Sequence, residues 1–66
     1  MSDVIRAFSY IQKEIVRLRD EQAMFISTGR AADYAEYKHV CGVIRGLSLA
    51  DQSINDLVER MEKSDE

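Results

Sequence analysis

Apolar residues recur along the first half of the chain at alternating steps of four and three. The series is Val4, Phe8, Ile11, Ile15 and Leu18, then the polar Gln22, then Phe25. Side chains three and four apart stack on one side of a helix, so this alternation marks a single apolar face. Ser2 is placed to cap the helix and Asp3 to complement its dipole. Gly29 supplies a left-handed stop. Helix 1 is therefore expected over about 3–27. In the second half Val40, Val43, Leu47, Ala50, Ile54, Leu57 and Met61 step by three and four without a break. Asp33, three residues before Glu36, has the spacing of a capping box. Helix 2 is expected over about 34–62, after a turn over about 28–33, with Lys63 to Glu66 frayed. Nothing reads as a strand, a linker or an internal repeat, so residues 1–66 form one domain.

Folding the chain back at the turn pairs the two stripes in one register. Phe25 faces Val40, Gln22 faces Val43, Leu18 faces Leu47 and Ile15 faces Ala50. Ile11 then faces Ile54, Phe8 faces Leu57 and Val4 faces Met61, and the position numbers of every pair add to 65. Two unrelated heptad helices need not share a centre. The expectation is an all-α fold: an antiparallel, coiled-coil-like two-helix hairpin with these residues in its seam. Gln22 is the one polar member of that seam, expected as a partly exposed amide near the turn, the alternative being a register-setting polar contact.

Composition narrows what can hold such a hairpin together. A globular chain of 66 residues buries only about 60% of the surface its unfolded form exposes. Disulfides, metals or oligomerisation are the usual supports at this size. One Cys cannot form an internal disulfide, and one Cys with one His falls short of a structural zinc site. Association is the support left. The absence of Pro and the 45% hydrophobic content argue against a turn-rich fold and against disorder.

More apolar side chains are present than one seam can cover. Ile5, Val16 and Ala23 flank the stripe on helix 1. Tyr34, Tyr37, Cys41, Ile44 and Val58 flank it on helix 2. Tyr37, Cys41 and Ile44 fall within about 60° of one another round the helix. Gly42 and Gly46 share a side four residues apart, and each costs about 1 kcal/mol against Ala in a helix interior. Such glycines suit the close approach of another helix, whether helix 1 or a partner's. Ile44 and Val58 are expected to tuck in part into the seam. The candidate interface is Tyr34, Tyr37, Cys41, Gly42, Ile44 and Gly46, completed by a homodimer or by docking on a larger protein.

Chemistry-bearing constellations are not evident. His39 and Cys41, two apart, point about 160° away from each other on a helix, so they form no nucleophile–base pair. His39 is expected in solvent and Cys41 as a small hydrophobe. Asp56 and Arg60 have the spacing of a surface ion pair. Gly42-Val43-Ile44-Arg45-Gly46 lies inside the heptads and lacks the Lys-Ser/Thr ending of a phosphate loop. No catalytic, metal or cofactor residue is assigned. The net charge of −3, with basic residues spread along the chain, disfavours a nucleic-acid partner. No run approaches the ~18 apolar residues of a membrane span. The N-terminus lacks the pattern of a signal peptide, and a lone Cys fits a reducing interior.

Two segments carry a family resemblance: Gly29-Arg30-Ala31-Ala32-Asp33-Tyr34-Ala35-Glu36-Tyr37-Lys38 and Cys41-Gly42-Val43-Ile44-Arg45-Gly46-Leu47. With the charged end Arg60-Met61-Glu62-Lys63 they resemble small helical proteins of tailed bacteriophages and prophages, over the second half of the chain. The resemblance implies a non-enzymatic structural or adaptor protein, a minor head or portal component, located in the host bacterial cytoplasm or the virion. An alternative is a phage-encoded modulator that binds and inhibits a host protein. A third class is RNA binding by a dimeric hairpin, for which Arg6, Lys13 and Arg17 would have to form a basic stripe.

Overall fold

The structure, a computed structural model, describes residues 2–64. Helix α1 spans Ser2–Ser27 and helix α2 spans Tyr34–Ser64. The two pack against each other as a helical hairpin, and no strand occurs among the described residues. At ~1.5 Å per residue they are roughly 40 and 45 Å long, which accounts for the 50 Å length of the molecule. The Ser2 side chain, expected to cap α1, lies outside the described residues. Asp65 and Glu66 of the expected frayed tail also lie outside them. Lys63 and Ser64, by contrast, are helical. The Ser64 hydroxyl donates to the carbonyls of Arg60 and Met61, both at 3.0 Å, and so helps satisfy the open end of the helix.

The turn is built by two caps. Gly29 adopts φ 71°. Its N–H donates to the Ile26 carbonyl at 3.0 Å, and the Arg30 N–H donates to the Phe25 carbonyl at 3.2 Å. These are the two bonds of a Schellman stop, which needs a left-handed residue where Gly29 stands. The Thr28 hydroxyl adds a bond to the Met24 carbonyl at 2.8 Å. At the start of α2, Asp33 Oδ1 accepts from the Glu36 N–H at 2.8 Å. Glu36 Oε1 returns a bond to the N–H of Ala32, at 2.9 Å, rather than to that of Asp33. The reciprocal acid thus braces the turn one residue earlier than a standard capping box does.

Two helices make a thin molecule. Its cross-section is 14 × 12 Å in Cα positions and its radius of gyration is 15.2 Å, against about 11 Å for a compact domain of this length. Among the described residues only Val40 is buried, at 6% exposure. Every other apolar side chain of the seam is half-buried or exposed.

The seam differs from the expected one by a rotation. On α1 the half-buried positions are Ile5, Phe8, Ser9, Gln12, Ile15, Val16, Arg19, Gln22, Phe25 and Ile26. Val4, Ile11 and Leu18, expected in the seam, stand 43%, 47% and 38% exposed. On α2, Ile44, Asp51 and Val58 are half-buried beside Leu47, Ile54 and Met61, while Leu57 is 40% exposed. α1 has turned within the seam, whereas on α2 Val43 and Ala50 stay half-buried as expected and only Leu57 of their row is exposed. Each helix carries an apolar stripe three rows wide, and a two-helix contact covers only part of that arc. On α1 the central row stays in, one outer row is covered and the row of Val4, Ile11 and Leu18 is left out; on α2 the matching row emerges only at Leu57. A hydrogen bond from Gln12 Nε2 to the Asp51 carbonyl, 3.3 Å, ties the covered rows of the two helices together. Arg19 lies along the same side, its Nε 3.6 Å from Asp20 Oδ1. Arg19 is half-buried, as a long cationic side chain can be while its charge stays at the surface.

Substitutions should separate turn from seam in urea or thermal unfolding. Gly29→Ala should cost about 1 kcal/mol through its positive φ alone, because an added Cβ there meets nothing within 4 Å. Leu47→Ala and Ile54→Ala should each cost about 2 kcal/mol, the low end for large-to-small changes because neither is fully buried. Arg30→Ala should stay within about 0.5 kcal/mol.

Candidate interaction surfaces

The six residues expected to form one interface divide between two sides of α2. Counted at 100° per residue, Tyr34, Tyr37, Cys41 and Ile44 lie toward the covered outer row. Gly42 and Gly46 lie about 80° to 180° round the helix from them. Ile44 and Cys41 are half-buried, whereas Tyr34 and Tyr37 are 73% and 40% exposed.

At the turn end, one helical turn of α2 assembles an aromatic cluster. Tyr34 and Tyr37, three apart, stack with ring centroids 6.3 Å apart and an interplanar angle of 23°. Lys38 Nζ lies 5.9 Å from the centre of the Tyr34 ring, within cation–π range. Cys41, one turn beyond Tyr37, holds the Tyr37 phenol above its ordinary pKa of 10.0, by hydrogen bonding first and charge second. Desolvation and Tyr34 push the same way. The cluster offers flat, stacked aromatic area with a polar edge, a surface suited to protein contact.

The glycines are not used inside the hairpin. A Cβ built on Gly42 or Gly46 meets nothing within 4 Å. Packing against α1 therefore does not explain them, and both lie exposed on a bare stretch of α2.

The third surface was not singled out from the sequence. Val4, Ile11 and Leu18 form an exposed row on α1, and Leu57 is exposed on α2. All four are members of the heptad stripe, which reads as core until the rotation of the helices is known. The signal available in the sequence was the width of the stripe, since Ile5, Ile26, Ile44 and Val58 already compete for the same seam.

Grooves on the hairpin are open and lined by ordinary surface groups. One of about 550 Å³ near the turn runs between Arg17, Asp20, Glu21, Gln22, Met24, Phe25 and Arg30. Another of about 410 Å³ lies over Ser9, Gln12, Lys13, Val16 and Asp51. Neither is lined by His39 or Cys41. Among the described residues no group of three His, Cys, Asp or Glu side chains could hold a metal ion. No helix is long and apolar enough to cross a membrane.

Charged groups pair locally. The Arg17 guanidinium bonds to both Glu14 and Glu21 on the exposed side of α1. The hydrogen bond from Arg17 holds the Glu14 carboxyl below its usual range; desolvation opposes it, and the Arg17 charge adds to the lowering. Arg17 in turn is raised further above its ordinary value. Compared with protein-family models, characterised proteins and solved structures, the chain gives no match.

Two measurements follow from this geometry. Gly42→Ala should raise stability by about 1 kcal/mol, because helix propensity improves and the space is empty. In an ultraviolet titration Tyr37 should ionise above the ordinary 10.0 of a phenol, and Cys41→Ala should bring it back toward that value. Because the folded-state pKa is raised, its stabilising share is full below the unfolded pKa and is lost as pH rises through the folded one. Cys41→Ala should therefore flatten the alkaline limb of the stability curve.

Proposed function

We propose that the chain is a non-catalytic structural or adaptor protein that works through helix–helix contacts, as a minor virion component of a bacteriophage. One observation carries the first part. A chain with a single buried residue among those described displays exposed apolar side chains along both helices. Such area on so small a hairpin is what a partner covers. The resemblance of the segments at Gly29–Lys38 and Cys41–Leu47 to small phage proteins supplies the second part.

The local ion pairing supports protein contact over RNA binding. Arg17, one of the three cations a basic stripe would need, is held between Glu14 and Glu21. The cluster carries one net negative charge, which repels a phosphate backbone.

The test is quantitative mass spectrometry of gradient-purified particles of the source phage, induced if it is a prophage. The expected result is this chain in constant ratio to the major head proteins across fractions. Its exclusion from particles, with recovery on one host protein instead, would replace the virion role with host modulation.

A further inference from the structure

The outward rows of the two helices meet on one side of the hairpin. In an antiparallel pair, rows displaced from the seam in the same rotational sense emerge on the same face. That face carries the exposed Val4, Ile11 and Leu18 from α1 beside the exposed Leu57 from α2, with the half-buried Val43 and Ala50 at its inner edge. Its α1 row is bulky. Its α2 side is shallow, because Gly46 and Ser53 lie next to Val43 and Ala50. We propose that this face binds a second copy of the chain, giving a four-helix bundle with the two turns at the same end. The proposal rests on the helix–helix reading above and adds the surface, the occupant and the arrangement.

Area favours a second copy. The hairpin exposes 5129 Å², whereas a compact monomer of its mass exposes about 4,300 Å². The excess, about 800 Å², is what one partner contributes to a standard protein interface. Shape favours it too. With the turns together, a two-fold axis along the bundle lays α1 of each copy antiparallel on α2 of the other. The ridge of Val4, Ile11 and Leu18 then enters the shallow side at Gly46, Ala50 and Ser53, where an added Cβ on Gly46 meets nothing of its own chain. With the turns apart, α1 would lie on α1, ridge against ridge.

Charge selects the same arrangement. The rim of α1 on this face carries Glu14 and Glu21, which together with the Arg17 bonded to both leave one net negative charge. The rim of α2 carries His39, Gly46, Ser53 and Arg60, with no carboxylate. Turns together sets the acidic rim against the rim without acids, and turns apart sets it against itself. Long-range attraction across the rim is weak in salt, but like-charge contact is avoided, which is how arrangement is chosen.

The experiment is sedimentation velocity on the purified full chain over a concentration series, with thermal melts. The expected species is a dimer whose melting temperature rises with concentration. The double variant Ile11→Lys/Leu18→Lys should be a monomer, while Tyr10→Lys/Leu49→Lys, at exposed apolar positions off the face, should still dimerise. Should the first variant fail to fold, Gly46→Leu decides: its Cβ meets nothing of the hairpin within 4 Å, and dimer affinity should fall at least about tenfold. A nitroxide on Thr28→Cys, with Cys41→Ala, should give a spin–spin distance of about 30 Å or less across a bundle of packed helices. A distance of about 45 Å or more, one helix length, would overturn the arrangement. A wild-type monomer at every concentration, or a dimer indifferent to Gly46→Leu, would overturn the surface. Presence in virions would be untouched by that result, so the two proposals fail separately.

Discussion

Two helices cannot enclose a core. Each presents one arc to the other, and whatever apolar surface lies beyond that arc meets solvent. In this chain the arc is narrower than the apolar stripe on either helix, so only Val40 is buried among the described residues. The rotation of the helices, the bare glycines and the exposed Val4–Ile11–Leu18 row all follow from that one shortage of cover.

What fixes the hairpin is correspondingly local. The Gly29 stop and the Asp33 and Glu36 bonds turn the chain within a few residues. Among the described residues every ion pair lies within α1, so charge does not set the pairing of the helices. Register is left to the turn, to the apolar rows and to the Gln12–Asp51 bond. Exposed pairs such as Arg17 with Glu14 and Glu21 contribute little to stability in water. They do neutralise part of the charge beside the apolar face, which lowers the cost of covering it.

The two candidate surfaces lie on different sides and differ in kind. The aromatic cluster at Tyr34 and Tyr37 is compact, polar-edged and close to the turn. The outward row of α1 is long, apolar and repeats every seven residues, which suits a helix partner of similar length. The proposed pairing along one side would leave the aromatic patch free, because the two surfaces share no residue.

The helices, the turn and the hairpin were legible in the sequence because each rests on short-range physics. Steps of three and four make a helical face, a glycine ends a helix, and Asp33 with Glu36 begins one. Even the partial burial of Ile44 and Val58 could be anticipated from the excess of apolar positions. Which of two adjacent apolar rows faces the partner helix was not legible. Val4, Ile11 and Leu18 share the heptad with Phe8 and Ile15, and no local rule separates them. That choice belongs to the packing of one helix against the other, where the covered row is settled by contacts distant in sequence, such as that of the Gln12 side chain with the Asp51 main-chain carbonyl. The division of Tyr34 and Tyr37 from Gly42 and Gly46 into separate surfaces was decided there as well, since only the position of α1 determines which sides of α2 remain open.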